Sequence, residues 1–299
     1  MSMKKINFLS VILTAVVLIS CSDKNAPEKG GEGALSGKFS VDVGKQVQFS
    51  KGNLRYQASS KTWRFADNQY DVIGEANKYM TEEYDGWIDM FGWGTGNNPT
   101  QRSIHKEDYS SFYDWGANKI SNGGNVAGTW RTLKKDEWYY LFFLRDKAQV
   151  LFALGKVNGV RGTIILPDGW KNPQGITFNP STTKGLLNKG DNYYDNESIK
   201  EHEDYIDDSK NNYSHNSYSL EQWKIMEDAG AVFLPAAGWR YCNEGDMPDI
   251  YDVGTEGLYA SSDAYDDYEA YYLYFDAKQL NPKSYFSNKN VGFTVRLVK

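Results

Sequence analysis

Within this 299-residue chain, the stretch Trp130 to Arg145, WRTLKKDEWYYLFFLR, limits the possible folds most tightly. Trp138, Leu141, Phe142 and Arg145 recur at three- and four-residue steps, which places them on one stripe of an α-helix. Burying one such aromatic contributes roughly 2 to 3 kcal/mol, so the stripe requires a layer to pack against. Lys134 stands three residues before Glu137, where a capping box needs a side-chain acceptor that lysine lacks. The helix therefore starts at Thr132 or forgoes about 1 kcal/mol. Glu137 reads either as a first-turn acid favoured by the helix dipole or as a buried acid that binds a loop or a cation.

Strands supply the partner layer. Alternation over Phe39-Val41-Val43, Val47-Phe49, Leu54-Tyr56 and Trp63-Phe65 predicts a β meander, with turns at Gly44-Lys45 and Ala58 to Lys61. Val150-Phe152-Leu154 and Gly162 to Pro167 flank Asn158-Gly159, a pair that accepts φ > 0 twice and predicts a type I′ hairpin. Ser219 and Gln222 form a capping box ahead of a helix with Trp223 and Met226 on one face and Gly230 past its end. Val232 to Pro235 and Ala270 to Phe275 resume the sheet, and Phe293, Val295 and Leu297 close it, with Arg296 outward or paired. The reading is α+β: short antiparallel strands, two helices and long irregular loops.

The start of the chain is an address. Lys4 and Lys5 precede an apolar run from Ile6 to Ile19, too short for the ~20 residues that span a bilayer. Leu18-Ile19-Ser20-Cys21 fits a bacterial lipobox, so residues 1–20 read as a lipoprotein signal peptide and Cys21 as the lipid attachment site. Ser22 to Gly37 has little to bury, which makes 21–37 a lipidated cysteine with a flexible tether and 38–299 a single globular domain. The expected location is the bacterial cell envelope, at the outer membrane, with the membrane as a partner through lipid on Cys21. Removing residues 1–20 moves the net charge from −6 to −8, and no basic cluster suits nucleic acid. Only Cys242 then remains beside Cys21, so burial rather than a disulfide holds the core; Cys242 reads as a small buried hydrophobe.

Two loop regions carry the candidate ligand-binding residues. Between Asp67 and Asn125 periodicity fades while Trp, Gly, Asn and Asp accumulate, and Trp87, Trp93 and Trp115 either pack inward or face a ligand. With Asp114, Trp239, Asp263 and Tyr265 they form the candidate set, aromatic faces with carboxylates that suit a glycan, a protein or Ca²⁺. No metal-ligand motif is present; the acidic stretch Thr182 to Tyr218, with His202 and His215, reads as an insertion or solvated charge run. No nucleophile elbow, phosphate loop or dinucleotide fingerprint appears, and no cofactor is expected.

Arg131, Glu137, Trp138 and Tyr140 resemble the Arg-Leu-Pro-Thr-Glu-Ala-Glu-Trp-Glu-Tyr signature of the formylglycine-generating enzyme (sulfatase-modifying factor) family, a C-type-lectin-like fold. In that family Thr commonly stands where this chain has Lys134. Gly257-Leu-Tyr-Ala-Ser-Ser262, Gly292-Phe-Thr-Val-Arg296 and Val232 to Gly238 resemble the Fibrobacter succinogenes-type major paralogous domain of exported lipoproteins more closely. The resemblance, over Trp130 to Lys299, implies a C-type-lectin-like fold. The enzyme family works through cysteines that bind copper, and one cysteine in the mature domain is too few for that chemistry. The leading expectation is a non-catalytic, lipid-anchored envelope protein that recognises a glycan or protein. The alternatives are an envelope enzyme acting on glycans through paired carboxylates, and a structural or adhesion subunit.

Overall fold

The structure, a computed structural model, describes residues 31–181, 213–245, 247–277, 279–284 and 287–299. The leader, Cys21, the first part of the tether and most of the acidic stretch, including His202, lie outside the described residues.

The fold is α+β. β1 (Phe39–Asp42) and β2 (Lys45–Val47) pair around Gly44, whose φ is +70°. β3 (Leu54–Gln57), β4 (Thr62–Phe65) and β5 (Trp87–Ile88) form a sheet in the order β4-β3-β5. The meander expected over Phe39 to Phe65 is thus split between two sheets. The chain's last residues separate them: the amides of Gln48, Ser50 and Leu54 donate to the carbonyls of Lys299, Leu297 and Val295.

After β6 (Met90–Phe91) and a long irregular stretch comes α1 (Lys135–Tyr139), which runs on as a single π-turn over Tyr140–Leu144. Trp138, Leu141, Phe142 and Arg145 are all buried, as their spacing predicts. The helix begins with Lys134 as its N-cap rather than at Thr132, and other groups replace the missing lysine acceptor. Glu137 Oε2 accepts from the Lys134 amide at 2.9 Å, the Glu137 amide turns back to the Lys134 carbonyl, and Asp263 Oδ2 accepts from the Lys135 amide at 2.6 Å.

β7 (Phe152–Val157) and β8 (Val160–Ile165) make the expected hairpin, with φ of 51° at Asn158 and 81° at Gly159. β9 (Ser217–Tyr218) lies parallel to β7, α2 (Leu220–Asp228) follows its Ser219–Gln222 capping box, and β10 (Val232–Pro235) completes a four-stranded sheet β10-β8-β7-β9. β11 (Trp239–Tyr241) and β12 (Asp249–Tyr251) form a separate ribbon. β13 (Gly257–Ala264), β14 (Ala270–Phe275), β15 (Leu280–Ser284) and β16 (Phe293–Thr294) join β6 in a sheet ordered β15-β14-β13-β16-β6.

Alternating side chains divide the interior into three cores separated by these two larger sheets. Ala153, Ile164 and Phe233 pack with Trp223 and Met226 of α2. The opposite faces of the same strands, Leu154, Ile165 and Leu234, join Trp138 and Phe142 in the central core, where Tyr259, Leu273 and Phe275 arrive from the second sheet. Leu258, Ala260 and Tyr272 point the other way, into a third core with Trp63, Trp115, Trp130, Phe293, Val295 and Leu297. Strands covered on both faces need no polar alternation, which is why Val232 to Pro235 reads as an unbroken apolar run.

One boundary differs from expectation, and Arg296 takes the paired of its two expected placements. The packed region starts before Lys38: Leu35 is buried in the central core, its amide donates to Phe49, and Gly37 lies against the Gly230 carbonyl too closely for any side chain. Arg296 does not point outward. It is buried, and donates at 2.6 Å to Gln69, whose amide nitrogen donates in turn to Glu227 at 2.8 Å; burial lowers the Arg296 pKa to about 10.

Candidate functional site

Four of the candidate residues are engaged within the fold. Trp115 is fully buried, with its ring 5.6 Å edge-on from Phe112. Trp93 is buried too, between Phe112 and the Lys289 ammonium, which lies 4.6 Å over its ring. Asp114 accepts from the Gly116 amide and from both the amide and hydroxyl of Thr132, tying the loop to the entry of α1. Asp263 is the remote cap of α1 described above. Trp93 and Trp115 are therefore core rather than surface contacts, and Asp114 and Asp263, half-buried, are engaged by backbone amides: an irregular backbone buries its polar groups only when side chains bond them, and its tryptophans replace a regular layer of core.

The other candidates lie in separate neighbourhoods. Trp87, half-buried, carries the Arg64 guanidinium 5.4 Å over its ring. Tyr265 is exposed and meets Tyr271 edge-on at 5.5 Å. Trp239 sits on the β11–β12 ribbon directly opposite Tyr251 in the ladder, and the two rings stack at 4.6 Å with 25° between planes. Its indole N–H donates to Asp252 Oδ2 at 3.0 Å, which fixes the ring's rotation. Tyr251 is itself exposed, as is Val253 two residues on. Gly238 sets its height: φ is +77°, and a Cβ there would stand 2.1 Å from the Tyr251 carbonyl oxygen.

The chain leads directly from this aromatic platform into a cleft of about 760 Å³. Val253, Gly254 and Thr255 form one wall, Tyr70, Asp71 and Val72 another, and the β7–β8 hairpin with Arg55 and Ala236 the rest. Arg55, Lys156 and Arg161 bring three positive charges to it against the single carboxylate of Asp71. Tyr70 stays a neutral hydroxyl, its pKa raised by burial and by the charges of Asp71 and Glu227.

Behind the platform, the Tyr274 hydroxyl lies 2.9 Å from Glu256 Oε1 and 3.0 Å from Asp276 Oδ2. One hydroxyl proton serves one acceptor at a time, so the two carboxylates compete for it. Burial raises the Glu256 pKa, the Tyr274 bond opposes it, and the charges of Asp252 and Asp276 add to the rise.

Glu137 takes the first of its roles and half of the second: it is a buried acid that binds loops, not a cation site. Arg131 grips it with two hydrogen bonds of 2.6 and 2.9 Å, and Lys45 adds a third at 2.5 Å. Burial alone would raise its pKa, but the bonds from Arg131, the Lys134 amide and Lys45 outweigh burial and hold it below the usual carboxylate value. Cys242 is buried, with Arg240 Nη1 3.2 Å from its sulfur. Among the described residues no group of three or more His, Cys, Asp or Glu side chains is placed to hold a metal ion.

Sequence reasoning found Trp239 but missed Tyr251, Asp252 and the cationic cleft. The Trp239–Tyr251 register depends on the loop between them, and the cleft draws on five separate segments, so neither leaves a local pattern. Comparisons with protein-family models, with curated proteins and with solved structures find no match for this chain.

Proposed function

We propose that this protein is a non-catalytic receptor, anchored by lipid on Cys21 to the bacterial cell envelope, that recognises glycans through a C-type-lectin-like domain. The observation that carries the reading is the Trp239–Tyr251 stack, a rigid aromatic surface locked by Asp252 beside an open cleft. Sugar rings present flat C–H faces that pack on such surfaces, while neighbouring polar side chains set orientation. The lipobox at Leu18 to Cys21 supports the anchor, and the Gly257 to Ser262 and Gly292 to Arg296 elements support the fold assignment.

The test is a glycan array probed with the full-length protein in mild detergent, with Ca²⁺ and again with EDTA. Trp239→Ala and Tyr251→Ala each weaken binding at least ~10-fold, as expected of central aromatic contacts, with the circular dichroism spectrum unchanged. A blank array, or binding indifferent to both substitutions, overturns the reading. Incorporation of a labelled fatty acid, lost in Cys21→Ala, tests the anchor.

One observation favours a second reading, an enzyme acting on glycans. Glu256 and Asp276, joined by Tyr274, combine a raised pKa with a second carboxylate, as a general acid and its partner require. Release of reducing ends from a bound glycan, abolished by Glu256→Gln, would select it over the receptor.

A further inference from the structure

We infer that the cleft beside the aromatic platform holds the carboxylate or sulfate of an acidic saccharide, bound by Lys156, Arg161 and Arg55. This rests on the glycan reading and specifies its ligand. Three observations support it.

The first is a like-charge pair. Lys156 and Arg161 stand directly opposite each other in the β7–β8 ladder, on the same face of the hairpin. Like charges directly opposite destabilise a strand pair. The chain carries 39 acidic residues, yet among the described residues neither of these two cations meets a carboxylate within ion-pair distance. An anion between them removes the repulsion.

The second is Arg55. Its side chain is mostly buried in the cleft wall and reaches Asp71 only at 3.8 Å, while its Nε is buried with no hydrogen-bond partner. A guanidinium binds oxyanions through paired N–H groups, and the 3.8 Å contact with Asp71 leaves the terminal N–H groups of Arg55 for that role. Arg161 is also pre-positioned, donating to the Gly254 carbonyl at 3.4 Å with the Tyr213 ring 5.9 Å away.

The third is the setting. Cationic side chains concentrate in one cleft of a chain whose net charge is −6, and about 760 Å³ is ample for a disaccharide. Val72, Val160 and Val253 supply apolar contact for a sugar ring, and Val253 lies two residues after Tyr251, so one oligosaccharide can occupy platform and cleft together.

The experiment is calorimetric titration of the full-length protein in detergent with oligosaccharides of matched length: one uronate-bearing, one sulfated and one neutral. Either acidic ligand binds about ten-fold or more tighter than the neutral one and weakens as salt rises. Arg161→Gln and Lys156→Gln each erase most of that preference, read as the ratio of acidic to neutral affinity, whereas Trp239→Ala weakens every ligand and leaves the ratio standing. Whichever acidic ligand binds more tightly identifies the anion. Equal affinity for acidic and neutral ligands, or an acidic preference that survives Arg161→Gln and Lys156→Gln, overturns the inference.

A second readout separates the two proposals. Millimolar sulfate raises the melting temperature of the wild type but not of Arg161→Gln, because it relieves the Lys156–Arg161 repulsion. That shift with no glycan bound overturns the receptor reading and leaves the anion site standing. Neither shift nor glycan binding overturns both.

Discussion

Replacing Glu137 by Gln should cost the fold far more than an ordinary surface change. The Glu137 side chain is only 6% exposed, whereas its partners Arg131 and Lys45 are 32% and 47% exposed. Hydrogen bonds to a charged group contribute about 1.5 to 3 kcal/mol each. Both cations can recover water once the carboxylate is gone, so the loss falls below the 3 to 5 kcal/mol of a fully buried pair. A total of roughly 2 to 4 kcal/mol follows, which lowers the melting temperature by roughly 5 to 10 °C in a domain of this size. Calorimetry at pH 7 reads this directly.

The pH dependence gives an independent check. Glu137 has a depressed pKa when folded, so its stabilisation is present above the ordinary value of 4.5 and is lost as pH falls through the folded value. Protonated Glu137 then resembles Gln, and the gap between wild type and variant closes. A variant that melts within about 1 °C of the wild type at pH 7 refutes the reasoning, and so does a gap that persists in acid.

Asp263→Ala removes the remote acceptor of the Lys135 amide and should cost about 1 kcal/mol in urea denaturation while leaving glycan affinity intact, which separates a cap from a ligand contact. Gly238→Ala forces a side chain into a left-handed conformation and against the Tyr251 carbonyl; a loss of about 1 to 3 kcal/mol or more is expected by thermal melting, with glycan binding lost alongside. Glu256 should titrate above 4.5 by side-chain NMR, and because its folded pKa is raised, its stability contribution is full below that value and declines as pH rises through the folded one.

What was legible in the sequence was what is encoded locally. The Trp138 to Arg145 stripe, the Asn158-Gly159 turn and the Ser219–Gln222 box each fit within one or two turns of chain, and each stands where its spacing places it. Leu35 was missed because one leucine among polar residues has no periodicity; only its pairing with Phe49 reveals it. Trp93 and Trp115 were ambiguous for a related reason, since an irregular backbone gives no inside or outside from which to infer a face. Asp263 capping a helix 128 residues away, and Arg296 reaching Gln69 227 residues back, have no sequence signature at all. The cleft belongs to the same class: Arg55, Lys156 and Arg161 meet only through the packing of different sheets.

The pairing of residues 297–299 with Gln48, Ser50 and Arg131 has a kinetic consequence. Val298 sits in the central core and Leu297 in the third, so neither core is complete until this segment has docked. Contacts this distant in sequence demand a costly loop closure before they return any stability, and folds dominated by them form slowly. Until then the long apolar strands and the tryptophan-rich loops remain exposed. Both cores therefore stay open until residues 297–299 dock, and a chain held in that state is prone to aggregate.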